Sequence, residues 1–510
     1  MAPSAESRFT VALEDEQATQ HFACEIANAL ETGDLVTLSG DLGAGKTAFA
    51  RALIQHLAGD PAMAVPSPTF TLMQVYETPR FAVAHADLYR LSSPDELTEL
   101  GFEEIAASGI GLLEWPDRGG DRLPRDRIDI AFTLSPARGD NYRDARVTGY
   151  GRLAARVARL DALRTFLHRA DYARAARHRM QGDASTRVYE RVVRDGQRAI
   201  LMNAPRRPDG PPVRDGKSYS AIAHLAEDVR PFVAMADGLR RLGFSAPEIY
   251  AADLENGFLL LEDFGIEPFV AGAPPAPIEE RYLAATELLA ALHDRQITPT
   301  LPLPDGTTYA LPGYDRGAFL IEAELLLDWY VPHRGLAVDD AARDEFRQLW
   351  LSALGPALSG QQTFVLRDYH SPNLIWLPDR TGYRRVGLLD FQDAVIGPAG
   401  YDVASLLQDA RVDVPDQLER ELFTRYVRKR GESDSSFDRA AFANVYAVMA
   451  AQRATKILGI FARLDRRDGK PQYLRHMPRV WRNLQRALGH PALSDLAAWY
   501  DTNVPAFDRL

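Results

Sequence analysis

Apolar and polar positions fall into two different rhythms along the 510-residue chain. In the first part, short apolar runs alternate with stretches of helical spacing. The runs are LVTLSG (35–40), FAVAHADLY (81–89), GIGLLEW (109–115) and RIDIAFTL (127–134), and the helical stretches are TAFARALIQHL (47–57) and PDELTELGFEEIA (94–106). That alternation predicts βα units around a mainly parallel sheet. After Tyr150 an Arg/Ala/Leu helical pattern takes over, which places a boundary at 150–158. A strand-rich block then runs from Thr186 to Phe264, with turn signals in PRRPDGPPVRDG (205–216). From Pro277 the pattern is mostly helical. The chain is therefore expected to be α/β, with a first domain over 1–154 and a second over 158–510. The second would be bilobal, a small sheet lobe at about 180–265 and a larger helical lobe at about 277–500, with AGAPPAP (271–277) as connector.

Length alone suggests roughly three units of ~150 residues, which a bilobal second domain satisfies. Hydrophobic residues make up 46% and charged residues 25%, so neither disorder nor a fibrous array is indicated. The opening MAPSAESRFT lacks an apolar signal core and no apolar stretch reaches ~18 residues, so a cytosolic protein without membrane contact is expected. Cys24 is the only cysteine, which excludes an intramolecular disulfide and a Cys-rich zinc site. Residues 1–150 hold 23 Asp and Glu against 12 Lys and Arg, the whole formal charge of −11. Residues 151–180 hold eight Arg and two Asp, which reads either as the solvated face of one helix or as a surface for RNA or an acidic partner.

Gly40-Asp-Leu-Gly43-Ala-Gly45-Lys46-Thr47 matches G-x-x-x-x-G-K-[ST] between a predicted strand and a predicted helix. Gly40, Gly43 and Gly45 let backbone N–H groups close around phosphates, Lys46 reaches the β/γ-phosphates, and the Thr47 hydroxyl suits Mg²⁺. Asp87 ends one apolar run, where a carboxylate would hold the magnesium shell, and Glu114 and Trp115 end another at the same sheet edge. Taken singly, Asp87 reads as a strand-end cap and Trp115 as core.

Together GDLGAGKT, VPSPTFTL (65–72), HADLYRL (85–91) and LLEWPD (112–117) resemble TsaE, the small ATPase of the bacterial tRNA threonylcarbamoyladenosine machinery, over residues 8 to about 150. The resemblance implies a P-loop NTPase fold, ATP and Mg²⁺ served by Lys46, Thr47, Asp87 and Glu114, Thr69 in a switch-like loop, and a required Trp115. It also implies partner subunits of that complex and an indirect relation to tRNA.

In the second domain LRDYHSPNLIWL (366–377) places Asp368 and Asn373 as D-x-x-x-x-N, and Asp390 follows in GLLDFQD. This order suits phosphoryl transfer: Asp368 orients or deprotonates the attacking hydroxyl, while Asn373 and Asp390 hold metal ions at the transferred phosphate. The chain from about 158 to 485 resembles the aminoglycoside phosphotransferase superfamily, whose fold is bilobal and protein-kinase-like. Within it the resemblance narrows to anomeric kinases of cell-wall amino sugars, through GDASTRVYERV (182–192), ILMNAP (200–205), LLLEDFG (259–265), LLAALHD (288–294), LLLDWY (325–330) and KILGIFARL (456–464). It implies ATP, with Glu262 and Asp263 in the adenine hinge and Gly182 and Ser185 in the turn over the phosphates, and an amino sugar such as N-acetylmuramate or N-acetylglucosamine phosphorylated at C1. Leu366 stands where many relatives have His, and Met202 where the phosphate-binding Lys is usual. Arg187 or Arg191 would supply that charge, or be ordinary strand arginines. The rival readings are a kinase of another hydroxyl substrate, such as an aminoglycoside, with a regulatory nucleotide module in front.

Overall fold

The computed structural model describes residues 6–91, 96, 101–120, 123–139, 141–180, 187–296 and 298–505. The chain divides into two compact units, Met1–Asn203 and Ala204–Leu510. Among the described residues no helix is long and apolar enough to cross a membrane.

The first unit opens with β1 (Glu6–Leu13), α1 (Glu16–Ala29), β2 (Asp34–Ser39) and α2 (Lys46–Ala58). Then come β3 (Met73–Tyr76), β4 (Val83–Asp87), α3 (Phe102–Ser108), β5 (Ile110–Glu114), β6 (Ile128–Leu134) and β7 (Arg143–Tyr150). The seven strands form one sheet in the order β1-β7-β6-β2-β5-β4-β3. The four strands β6-β2-β5-β4 are parallel, as the apolar runs predict, and antiparallel strands close both edges. Because β2, β4 and β5 are neighbours in parallel register, Asp87 pairs with Glu114 and the β2 end leads directly into the glycine loop. Phe49, Ala50, Leu53, Ile54 and Leu57 form the buried stripe of α2 against the sheet. A second, smaller core of Leu35, Ala84, Ala86, Leu88, Phe102 and Leu113 holds α3 on the other side.

The Arg/Ala/Leu pattern after Tyr150 is α4 (Ala154–Arg169), whose Val157, Leu160, Leu163, Phe166 and Leu167 are buried. Gly149 permits its close packing, since a Cβ there would meet Val157 Cγ2 at 2.6 Å and the Leu153 carbonyl at 2.7 Å. Three antiparallel strands follow, β8 (Ala176–Arg179), β9 (Val188–Arg194) and β10 (Gln197–Asn203). β8 lies inside the stretch read as helical. The division at Asn203 is later than the 150–158 junction in the sequence pattern, and ion pairs as well as the buried stripe of α4 join the added segment to the first unit. Arg156 pairs with Asp34 and Glu31, Arg152 with Asp34, Arg164 with Glu25, and Arg177 with Glu190. These arginines thus meet carboxylates of their own acidic unit, Arg177 buried and Arg152 still open to solvent.

The second unit contains the antiparallel pair Ile249–Asp253 and Phe258–Glu262, then a mostly helical region. The helix Arg230–Arg241 stands within the block read as strand-rich, started by Pro231 at its first turn. The helix Arg439–Asp468 is the axis of the main core. Asp438 caps its start through the Ala440 and Ala441 amides, Gly469 ends it, and Ala447, Ala450, Ala451, Ala454, Leu458 and Phe461 are buried along it.

Candidate functional site

At the C-terminal edge of the parallel strands, Gly40, Gly43 and Gly45 have φ of +131°, +79° and +106°. These values favour glycine, and at Gly40 a Cβ would also lie 2.3 Å from the Phe132 carbonyl. Lys46 opens α2 and is buried, with Nζ donating to the carbonyls of Gly40 (2.7 Å) and Asp41 (2.9 Å). The same Nζ lies 3.7 Å from the Trp115 ring centroid. Burial lowers the ammonium pKa, against the pull of Glu114, Asp87 and Asp41. Thr47 Oγ1 donates to Glu114 Oε2 (2.9 Å), and Thr69 Oγ1 donates to Asp87 Oδ2 (2.6 Å). All the described residues picked out in this half except Gly43 and Gly45 are therefore joined by contacts or by strand register, and those two glycines lie in the same loop. Hydroxyls and carboxylates beside a glycine loop fit Mg²⁺ and a nucleotide phosphate.

Two residues that motif spacing had not singled out complete this edge. His85 lies two positions before Asp87 on β4, so period-two alternation puts both side chains on one face. Its Nε2 donates to Glu114 Oε1 (3.0 Å), which leaves Glu114 held from both sides. Tyr89 packs 5.1 Å from Trp115, itself at φ +62°, and so fixes the indole over Lys46.

In the second unit the strand Gln362–Val365 runs into the loop carrying Asp368 and Asn373, and Asp390 follows the strand Val386–Leu388. The two loops are tied by the Leu389 amide donating to the Asn373 carbonyl (3.0 Å). Asn373 Nδ2 donates to the Asp368 carbonyl (3.0 Å) and lies 3.4 Å from Asp390 Oδ2, while Gln392 Nε2 donates to Asp390 Oδ1 (2.9 Å). The structure therefore gathers the three residues expected from spacing. Burial pushes the Asp368 carboxyl up, but His370, Lys456, Arg367 and Arg453 outweigh it and hold its pKa below the usual carboxylate value. Asp368 stays anionic, as a proton acceptor must. The paired oxygens of Asp390 and the Asn373 amide suit a hard cation beside a phosphate.

The loop rests on buried groups that short motifs do not reveal. Asp402 accepts from the amides of Leu366 (2.6 Å) and Arg367 (2.9 Å), and burial pushes its carboxyl up to about 7. Asp409 accepts from the Ser371 amide (3.0 Å) and hydroxyl (2.6 Å). Arg367, at φ +68°, pairs with Glu322, which also takes Lys456 at 2.9 Å. Leu366, in place of the common His, is simply buried.

Glu262 ends the strand Phe258–Glu262, but its carboxylate is taken by Arg380 and by the Glu248 amide (3.2 Å). Asp263 Oδ1 accepts from the Gly265 amide (2.9 Å). Any hinge contact at Glu262 would thus come from backbone. Gly182 and Ser185 lie outside the described residues. Met202 is buried on β10 opposite Tyr189, and Arg191 faces Ile200 on β9, while Arg187 directly precedes β9.

Residues 13–141 match the family described as threonylcarbamoyl adenosine biosynthesis protein TsaE, and residues 177–443 match the phosphotransferase enzyme family. An N-acetylmuramate/N-acetylglucosamine kinase of Caulobacter vibrioides is 39% identical over 68% of this chain and 96% of its own length. Its namesake in Pseudomonas aeruginosa is 33% identical over 62% of this chain and 84% of its own. A tRNA threonylcarbamoyladenosine biosynthesis protein TsaE of Rickettsia bellii is 42% identical over 24% of this chain and 84% of its own length. The chain therefore belongs to the phosphotransferase enzyme family and carries a TsaE ATPase domain fused in front of it.

Proposed function

We propose that the protein is bifunctional, with a junction near 154–158. The second domain phosphorylates the C1 hydroxyl of N-acetylmuramate and N-acetylglucosamine for cell-wall sugar recycling. The first hydrolyses ATP in support of N6-threonylcarbamoyladenosine formation at tRNA position 37, with the other subunits of that complex as partners and tRNA contact only indirect. Both act in the cytoplasm. The observation that carries the kinase reading is the Asp368–Asn373–Asp390 set, in a chain similar along 68% of its length, and along 96% of the relative's, to a kinase of that name. Bound Mg²⁺ would neutralise developing phosphate charge in both domains. Asn373 and Asp390 would hold it in the kinase, and Thr47, Asp87 and Glu114 in the ATPase. Asp368 accepts the proton of the anomeric hydroxyl and orients its oxygen for in-line attack on the γ-phosphate. In the ATPase, Lys46 leaves its two carbonyls for the β/γ-phosphates, and the glycine-loop amides cradle them.

Purified protein with ATP and Mg²⁺ is expected to convert both sugars to 1-phosphates, identified by phosphorus-coupled NMR. Asp368→Asn is expected to lose at least ~100-fold in rate. Phosphate at C6, or turnover of aminoglycosides with neither sugar reacting, rejects the substrate assignment even if Asp368 is essential.

A further inference from the structure

A cavity of about 570 Å³ opens in the second unit among the helices Asp340–Ser359, Asp416–Ser433 and Arg439–Asp468. That volume lies in the range of small-molecule sites. Leu349, Ala353, Phe437, Phe442, Val448 and Leu496 give it a mainly apolar wall, and none of Asp368, Asn373 and Asp390 lines it. It is separate from the site of phosphoryl transfer.

Arg430 lines the same cavity and is only 1% exposed. One of its Nη atoms donates to Gln361 Oε1 at 3.2 Å, and its guanidinium lies 5.4 Å from the Phe437 ring centroid. Its Nε is buried with no hydrogen-bond partner, and it makes no ion pair among the described residues. Arg367, also buried, has Glu322. Enclosing a guanidinium is offset only by an opposite charge with good hydrogen-bond geometry. Asp434 on the same cavity feels the Arg430 charge, but among the described residues no carboxylate reaches the guanidinium, and the unpartnered Nε points to a partner that arrives from outside the chain.

We propose that this cavity binds a small organic monoanion, its carboxylate on Arg430 and its apolar body along the Leu349 and Phe442 walls. A carboxylate suits the planar guanidinium, which can offer two parallel N–H donors. A single charge is indicated because Asp434, Asp438 and Asp495 also line the cavity and repel a dianion.

Octanoate is the probe, titrated into the full-length protein by calorimetry and thermal melting, with octanol and octylamine as controls of equal length. Octanoate should bind saturably and at least tenfold more tightly than either control, in keeping with a charge-assisted hydrogen bond. Arg430→Met keeps the length and removes the charge, so octanoate should weaken at least tenfold while octanol is unchanged. Without ligand that variant should melt at or above the wild type, because an uncompensated buried charge has gone. Octanoate binding no tighter than octanol overturns the proposal on the wild-type protein alone. So does octanoate binding that survives Arg430→Met, or an Arg430→Met protein that melts lower than wild type and binds octanoate unchanged.

Discussion

Lys46 shows how one side chain is kept ready by its surroundings. Its ammonium is held by two loop carbonyls and an indole face, all exchangeable for phosphate oxygens when nucleotide enters. Lys46→Ala removes that cation, and is expected to abolish rescue of a strain depleted of the tRNA-modifying ATPase while leaving sugar phosphorylation unchanged. Full rescue by the variant would exclude a catalytic role for the loop. His293 illustrates the opposite use of burial. It is enclosed, its Nδ1 is 2.8 Å from the Tyr426 hydroxyl, and burial first and then Arg430 lower its pKa to about 3. The native imidazole thus stays neutral where an unfolded one, near 6.5, takes a proton. Its contribution to stability is complete above pH 6.5 and is lost as pH falls towards 3, by about 3 kcal/mol at pH 4.5. Urea unfolding at pH 7.5 and 4.5 should therefore show a steeper acid loss in wild type than in His293→Asn. Parallel losses would mean that His293 titrates normally.

Among the elements, α4 and β8 act as a clasp on the acidic first unit. Asn28 on α1 donates to Glu190 on β9 (3.1 Å) and accepts at Oδ1 from the His56 ring on α2 (2.8 Å), while Glu190 takes two hydrogen bonds from Arg177 on β8. Burial raises the Glu190 pKa, but Arg177 outweighs it and the carboxyl stays low and ionised. Breaking such a pair from one side leaves a buried charge, so Glu190→Gln should destabilise by about 3–5 kcal/mol in equilibrium denaturation. Replacing both partners, Glu190→Leu with Arg177→Met, should restore much of the loss. A double variant as unstable as the sum of its parts would show that the two residues act separately.

At the scale of the molecule, the junction read from sequence and the compact division at Asn203 give different fragments. Residues 1–155 keep the nucleotide loop and the Arg152–Asp34 pair but lose Arg156, the second arginine on Asp34, and Arg164 and Arg177, the arginines on the buried Glu25. Residues 1–203 keep them. With several kcal/mol for the Glu25 carboxylate left without an arginine, and a weakened pair at Asp34, the longer fragment should melt about 10 °C or more above the shorter. Equal melting temperatures would show that the clasp adds nothing to the ATPase domain. Lys46, Thr47, Asp87 and Glu114 lie in the first unit and Asp368, Asn373 and Asp390 in the second, so inactivating either set should leave the other's turnover intact.

Local chemistry made much of this protein legible in its sequence. The glycine loop, the strand-end Asp87 and Glu114 and the ordered Asp368, Asn373 and Asp390 are close in sequence or set at strand ends, where the period of two and the crossover rule limit where a side chain goes. The central parallel strands were legible for the same reason, being apolar on both faces. The groups that hold those residues were not. His85, Asp402, Asp409 and Glu322 act across dozens of residues, and an isolated carboxylate or imidazole in a sequence carries no sign of the backbone amide it will meet. The arginines of 151–180 make the same point: their number was evident, but only the tertiary structure put Asp34, Glu31 and Glu25 opposite them. Composition determined that the charges existed, and packing determined which were paired and that Arg430 makes no ion pair among the described residues.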